Sequence, residues 1–351
     1  MAMIDNRKPD PGNFPLVCIC VPTYNVAATV RETLESILGQ TYPNLVIHVS
    51  DNASTDNTLD VISSLANKRI TIHRHDVNVG GEGNFNRCIQ LAEGKYTAIF
   101  HADDIYEPDM VAKQVAYLEA HSDAGAVFTG ASLIDEGGRQ VGSIQLPHDV
   151  ARKKGPYDFA TLFKAVLRHS NFFICPSFMV RTHIYQQEIV NWRGDMFGTS
   201  ADLDVWLRIL KRHAIGHLQE PLIRYRISNS QWSARIRKET ARSEFFRVVD
   251  YYLERDEVRA LLDRSDLQNY ARLEQRDRVM RAVNLYLTGQ YLEARVLLND
   301  IFSWDTAKAA FLSKRGLGVF IAGVYLRILL MLGLNKFGQA SLSLMKQQMR
   351  K

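Results

Sequence analysis

Three polar clusters stand directly after three short apolar runs in the first third of the chain. Pro22-Thr23-Tyr24-Asn25 follows the first, Asp51-Asn52-Ala53-Ser54-Thr55-Asp56 the second, and His101-Ala102-Asp103-Asp104 another. An aromatic ring and a carboxylate can hold a base and its ribose. A further carboxylate is a hard oxygen ligand, suited to a cation that bridges a diphosphate. The chemistry on offer is a nucleotide–metal site, and the spacing alone goes no further.

Such clusters act together only if the elements before them bring them to one edge. Apolar runs at Leu16 to Val21, Leu45 to Val49, Ile70 to His73 and Tyr96 to Phe100 read as strands. Helical patterns separate them, at about Ala28 to Leu38, near Leu59 to Leu65, and from the Gly80, Gly81, Gly83 loop to about Leu91. Repeated β-α-β units predict a mostly parallel, Rossmann-like sheet flanked by helices. Ligands bind such sheets at the carboxyl ends of the strands, where the three clusters sit. From about Ala126 to Ile227 the pattern is mixed. Strands are expected at Ala126 to Ala131, Phe172 to Val180 and Leu222 to Ile227, and helices near Tyr157 to Arg168 and Asp202 to Arg212. Beyond about Ser233 only helical periodicity remains, and Gly289 separates two of those helices. The expected organisation is an α/β domain over 1–232, with a nucleotide half of about 14–130 and a second half of about 131–232. A helical region over 233–351 follows.

Composition narrows the classes. The 351 residues have no low-complexity run, and the net charge of +5 forms no contiguous block. No basic stripe interleaved with aromatics points to nucleic acid. Cys18, Cys20, Cys88 and Cys175 lack zinc-site spacing and read as reduced core residues, which fits a cytoplasmic protein. The charged, proline-containing N-terminal stretch is not a secretory signal.

In order and in content, these motifs resemble those of the family 2 glycosyltransferases, which have the GT-A fold. The likeness runs from about Leu16 to Ser233. Val21-Pro22-Thr23-Tyr24-Asn25 looks like the family's first nucleotide loop, so Tyr24 is expected to flank the base. Asp51 matches the aspartate that hydrogen-bonds the base. Asn78, Gly80 and Asn86 match the segment that closes over the nucleotide. His101-Ala102-Asp103 aligns with the Asp-x-Asp metal motif. His101 replaces its first aspartate, and Asp103 is the expected ligand of Mg²⁺ or Mn²⁺. Asp202 sits where the family has its general base, with Ala201 in place of the usual glutamate. Arg224 and Arg226 lie on the strand expected to approach the diphosphate or the acceptor. Ser228 stands where many relatives have a histidine. The processive members' Gln-x-x-Arg-Trp signature is missing, which favours single transfer. The resemblance implies an inverting transfer of a sugar from a nucleotide diphosphate sugar, UDP by default, to a saccharide or lipid-linked hydroxyl acceptor. Bacterial surface polysaccharide or glycolipid synthesis is the setting it implies.

Plainer readings stand beside these. Asp56 reads as a helix cap, and Asp104 as a loop hydrogen-bonding residue. Asp204 and Arg208, four apart, can pair across a helix turn. Trp206 reads as core, whereas Trp192 and Trp232, in loop-like contexts, are acceptor-site candidates. The apolar stretch Gly316 to Leu334 is interrupted by Arg327, so it reads as a packed helix or one lying on the inner membrane rather than a span. Two other functions remain: nucleotidyl transfer, disfavoured by a first loop without glycine or lysine, and a non-catalytic scaffold, which His101, Ala201 and Ser228 would permit.

Overall fold

The computed structural model describes residues 14–153, 155–228, 240–299 and 314–348. The chain divides into two units: Met1–Phe163 with Asn171–Ser228, and Lys164–Ser170 with Asn229–Lys351.

The first unit begins β1 (Val17–Thr23), α1 (Val30–Leu38), β2 (Leu45–Asp51), α2 (Thr58–Ser63), β3 (Ile70–Arg74), α3 (Gly80–Leu91) and β4 (Tyr96–Ile99). It continues with β5 (Ile105–Tyr106), α4 (Met110–Ala120), β6 (Ala124–Ile134), β7 (Gln140–Ile144), α5 (His148–Ala151) and the start of α6 (Phe159–His169), whose remainder from Lys164 belongs to the second unit. Then come β8 (Met179–Arg181), a π-helical turn Ile184–Ile189, α7 (Gly194–Phe197), α8 (Ala201–Leu210) and β9 (Ala214–Arg226). The sheet order is β3-β2-β1-β4-β8-β6-β9-β5, with β7 pairing β6. β1 to β4 run parallel to their neighbours within that group, and β6 and β9 run parallel to each other. The sheet is thus mixed but mostly parallel, flanked by helices.

Position in the sheet explains the composition of each strand. β1 is central and covered on both faces, so nearly every residue of VCICVPT is buried and the run is continuously apolar. Its cysteines, two apart, share a face: the Cys18 and Cys20 thiols hydrogen-bond at 3.7 Å, and both are free cysteines. β3 is the edge strand and only partly buried. The β1–β2 register pairs Thr23 with Asp51, so the first two polar clusters emerge side by side.

One predicted strand is different. Of Phe172 to Val180, only the end joins a strand, Met179–Arg181. Pro176 has no N–H for a ladder, and a 3₁₀ turn forms at Cys175–Ser177. β9, by contrast, is longer than the apolar signal, because its outer half continues beside β6 through a register shift near Gly130 and Pro221.

The described part of the second unit is helical: Glu244–Leu253, Asp256–Arg259, Arg264–Leu287, Tyr291–Leu298, Lys314–Leu332 and Asn335–Gln348. Asp263 and Asp266 form a capping box at the start of the long helix. Gly289, at φ +82°, ends it, and Gln290 N–H closes back onto Leu285 O at 2.8 Å. Val279, Ala282, Tyr286, Leu298, Leu326, Leu329 and Leu342 belong to the core of this unit. No described helix is long and apolar enough to cross a membrane.

Candidate active site

The loops after β1 and β2 are fastened to each other. Asp51 is fully buried at the strand end, and its carboxylate accepts hydrogen bonds from Thr23 Oγ1 (3.2 Å), Ser54 Oγ (2.6 Å) and Ser54 N (3.0 Å). Asn25 turns the first loop at φ +51°, a conformation that asparagine tolerates. Its Oδ1 accepts from Thr55 N (2.8 Å), and its own N–H donates to Ser54 Oγ (3.0 Å). Asp56 accepts the Thr58 N–H at 3.0 Å, in the first turn of α2. Tyr24, beside the partly buried Pro22, leaves its ring 46% exposed at the rim. Two further amides hold the frame. Asn52 donates to Asn78 Oδ1 (3.0 Å) and Gly80 O (3.1 Å), which pins the 78–80 turn beside the strand ends. Asn84 is buried and bonds Ser50 through both ends of its amide.

The turn from His101 to Asp104 is gripped from two sides. From the N-cap and first turn of α1, Thr29 Oγ1 donates to Ala102 O (2.9 Å) and Thr33 Oγ1 to Asp104 O (2.7 Å). From β9, Arg226 donates its backbone N–H to Asp104 Oδ1 (2.8 Å) and Nε–H to Asp103 O (2.9 Å). The same guanidinium reaches Glu136 O (3.1 Å) and Glu32 Oε2 (2.6 Å). Arg226 therefore holds the turn in place, and its guanidinium is committed there rather than offered to a diphosphate. Arg224 is exposed and paired with Glu107 at 2.7 Å.

His101, Asp103 and Asp104 bring ligand atoms within 4.8 Å of one another. His101 Nε2 and Asp104 Oδ2 are buried and have no hydrogen-bond partner. Two orphaned buried polar atoms beside a further carboxylate fit a bound cation, which would satisfy both. Burial lowers the His101 pKa against the pull of Asp103, which leaves a neutral imidazole with a lone pair to give. Burial, then the Asp103 charge, push Asp104 well up, against Arg226. Replacing Arg226 with lysine keeps the charge but loses the fork. We expect Mn²⁺ affinity to fall about 10- to 100-fold, as for other outer-shell partners of metal ligands. Calorimetric Mn²⁺ titration checks this, and unchanged affinity would give Arg226 a purely structural role.

Asp202 lies in the first turn of α8, half-buried, and accepts the Leu203 N–H at 2.7 Å. Burial pushes its pKa up to about 6, against the hydrogen bonds from Leu203 and the Asn171 side chain. Asp204 has no exposure and pairs with Arg193 and with Arg208, the latter at 2.9 Å, so it locks the helix. Two groups link Asp202 to the 101–104 turn. Burial and then the charges of Asp202 and Asp104 raise the Cys175 thiol. Burial, Asp104, Asp103, Cys175 and Asp202 all raise the Tyr225 phenol. All three aspartates thus act on the Tyr225 phenol, and Asp202 and Asp104 act on the Cys175 thiol as well.

An aromatic series runs on from the 101–104 turn, with His101 5.8 Å from Phe85, Phe85 4.5 Å from Trp192, and Trp192 6.4 Å from Trp206 between ring centroids. Trp206 stacks on Phe178 at 3.6 Å. Trp192 was expected at an acceptor surface. It is 6% exposed, its ring covered by these neighbours, so it supports the wall and presents no face to a sugar. Asn86 Oδ1 accepts the Trp192 backbone N–H at 2.7 Å, which ties α3 to that loop. Trp232 lies outside the described residues. Sequence reasoning gave Asn84, Asn171, Cys175 and Tyr225 no place in the site, and named Asn52 only within the second polar cluster. Of the first four, only Tyr225 had a signal, since strand alternation turns it to the face opposite its flanking arginines.

Comparison with known proteins bears on the family and the fold. The profile of Glycosyl transferase family 2 matches residues 18–187. Putative glycosyltransferase EpsE of Bacillus subtilis is 30% identical over 229 residues, covering 63% of this chain and 76% of that protein. The putative teichuronic acid biosynthesis glycosyltransferase TuaG of the same organism is 29% identical over 230 residues, covering 63% and 84%. Among solved structures, the mannosyltransferase PcManGT from Pyrobaculum calidifontis, in complex with GDP-Man and Mn²⁺, aligns with a TM-score of 0.53 at 18% identity. That alignment covers 92% of this chain and 87% of the other, and shows likeness of fold.

Proposed function

Because this chain belongs to glycosyl transferase family 2, we propose that it is an inverting enzyme that moves a sugar from a nucleoside diphosphate to a hydroxyl acceptor. UDP sugars come first among donors. The acceptor is a saccharide or a lipid-linked saccharide in bacterial surface polysaccharide or glycolipid synthesis, a setting in keeping with the name of TuaG. The observation behind this reading is Asp202: a carboxylate with its pKa raised to about 6, acting on the same Tyr225 as Asp103 and Asp104 and on the same Cys175 as Asp104.

In this mechanism, the acceptor oxygen attacks the anomeric carbon from the face opposite the diphosphate. The new C–O bond forms as the bond to the phosphate oxygen breaks, and the nucleoside diphosphate leaves with the electron pair. Asp202 takes the hydroxyl proton; a base with pKa near 6 is ionised at neutral pH and still basic enough to be useful. Tyr24 flanks the base, Asp51 bonds it, and the Asn78–Gly80 turn closes beside it. Mg²⁺ or Mn²⁺ on Asp103, with His101 and Asp104 in reach, would stabilise charge on the departing diphosphate. The domain that does this is 1–232, and the protein works in the cytoplasm, with peripheral contact at the inner membrane.

A thermal-shift screen of UDP and GDP sugars with and without Mn²⁺ tests the reading. Ligand at 100 times its Kd is expected to add about 2.7 kcal/mol of stability. A degenerate scaffold would bind without turnover, and a screen in which no nucleotide sugar moves the melting point would remove the proposal.

A further inference from the structure

The helices Lys314–Leu332 and Asn335–Gln348 turn apolar side chains outward as well as inward. On the first, Leu326 and Leu329 fill the core of the second unit, while Ile321, Ile328, Met331 and Leu332 are exposed. The spacing of Ile321, Ile328 and Leu332 puts them on one face. On the second, Phe337 and Leu344, seven apart, form an exposed stripe, with Phe337 62% exposed. Leu292 and Val296 do the same, four apart, on Tyr291–Leu298. A helix that is apolar on its outer face as well as its core face has an unfinished surface. None of these helices is long and apolar enough to span a bilayer, and a helix with an exposed apolar face and basic flanks is suited to lie in the interface of one.

Charge selects the partner. Residues 314–351 contain seven basic side chains and no acidic one, so the remainder of the chain, taken alone, is slightly acidic. Arg295, Asn299 and Arg327 line a shallow pocket together with Leu298, Leu330 and Met331. Guanidinium groups set among apolar side chains suit a phosphate attached to an acyl chain.

We propose that the exposed faces of Tyr291–Leu298, Lys314–Leu332 and Asn335–Gln348 dock on an anionic phospholipid surface. Ile321, Ile328, Leu332 and Phe337 enter the interface, and Arg295, Arg327 and Lys336 meet headgroup phosphate. The proposal deepens the transferase reading and rests on it only for the choice of a membrane as the place where the acceptor is met.

The test is co-sedimentation of the full chain with phosphatidylcholine vesicles, with and without phosphatidylglycerol. Binding is expected to the anionic vesicles and to weaken as salt rises. Arg295→Gln with Lys336→Gln is expected to weaken it about 25-fold, at about five-fold per charge. Ile328→Ser with Phe337→Ser is expected to weaken it about 100-fold, at roughly ten-fold per lost side chain. These four side chains are exposed, and circular dichroism confirms that the variants fold. Failure to bind, or equal binding to both vesicles, overturns the proposal. So does an apolar variant that turns an oligomer into a monomer while vesicle binding is unchanged, because the partner is then a second copy. Nucleotide-dependent thermal shifts in the same variants keep the two readings apart: vesicle binding can fail with those shifts intact, or persist without them.

Discussion

Replacing Asp202 with asparagine is expected to cut turnover by roughly 10²- to 10⁴-fold, the usual contribution of a positioned general base, and to make the protein more stable. The second effect follows from the direction of the pKa shift. Burial raises the folded-state value from 3.8 to about 6. A carboxylate raised in this way contributes stability that is fully present below the unfolded value and is lost as pH rises through about 6. At pH 7 that loss is complete, and the ionised group strains the fold. Asparagine does not ionise, and its Oδ1 can still accept the Leu203 N–H. The gain is about 1–3 kcal/mol at neutral pH, the upper end being the full shift without allowance for solvent at this half-buried group. In a domain of this size that is several degrees in melting temperature. In the parent, kcat/KM is expected to fall about tenfold per pH unit below 6. An activity assay across pH 5 to 8 and melting curves for both proteins check all three. Near-parental turnover in Asp202→Asn, or a lower melting point, would end the case for this base. A structural helix cap loses stability on removal, whereas a strained base gains it, so the two readings differ in sign.

The nucleotide half was legible because local rules act there without competition. β1 and β2 are buried parallel strands, and burial on both faces writes a continuous apolar run into the sequence. Their polar ends stand out against it, and α1, α2 and α3 lie between strands, where crossover helices must. The second half was less legible because long-range partners decide its structure. Phe172 to Val180 has a strand's composition, yet Pro176 withholds an N–H and a 3₁₀ turn forms at Cys175–Ser177 instead. Arg226 is visible in the sequence as a charge on a strand. That it grips Asp103 O and Glu32 depends on the β9–β5 pairing and on α1, neither of which is near it in sequence. Trp192 sits in a loop-like stretch, and only the approach of Phe85 and Trp206 makes it a buried wall. Asn52 and Asn84 look like ordinary polar residues until the orphan donors and acceptors they satisfy are in view.

Replacing Asp103 with asparagine is expected to lower Mn²⁺ affinity by at least about 100-fold, more than outer-shell partners cost, while leaving the fold intact. The donor set of the 101–104 turn is economical. Asp104 has committed Oδ1 to the Arg226 N–H, which leaves Oδ2, and His101 offers Nε2. Without the Asp103 carboxylate, one imidazole nitrogen and one oxygen remain, too little for a hard cation that prefers several oxygens. The turn itself should survive, because its backbone is held through the Ala102, Asp103 and Asp104 carbonyls by Thr29, Arg226 and Thr33, none of which needs the Asp103 side chain for these bonds. Calorimetric Mn²⁺ titration in the presence of a nucleoside diphosphate separates the outcomes. Metal-independent nucleotide binding should persist through the Tyr24 and Asp51 loops, while the metal-dependent increment disappears and turnover falls with it. His101→Asp is the complementary variant: an all-oxygen set should favour Mg²⁺ relative to Mn²⁺ compared with the parent, because imidazole is a softer donor than carboxylate. If Asp103→Asn keeps its full Mn²⁺ response, the ion does not depend on this turn, and the orphaned atoms of His101 and Asp104 need another explanation.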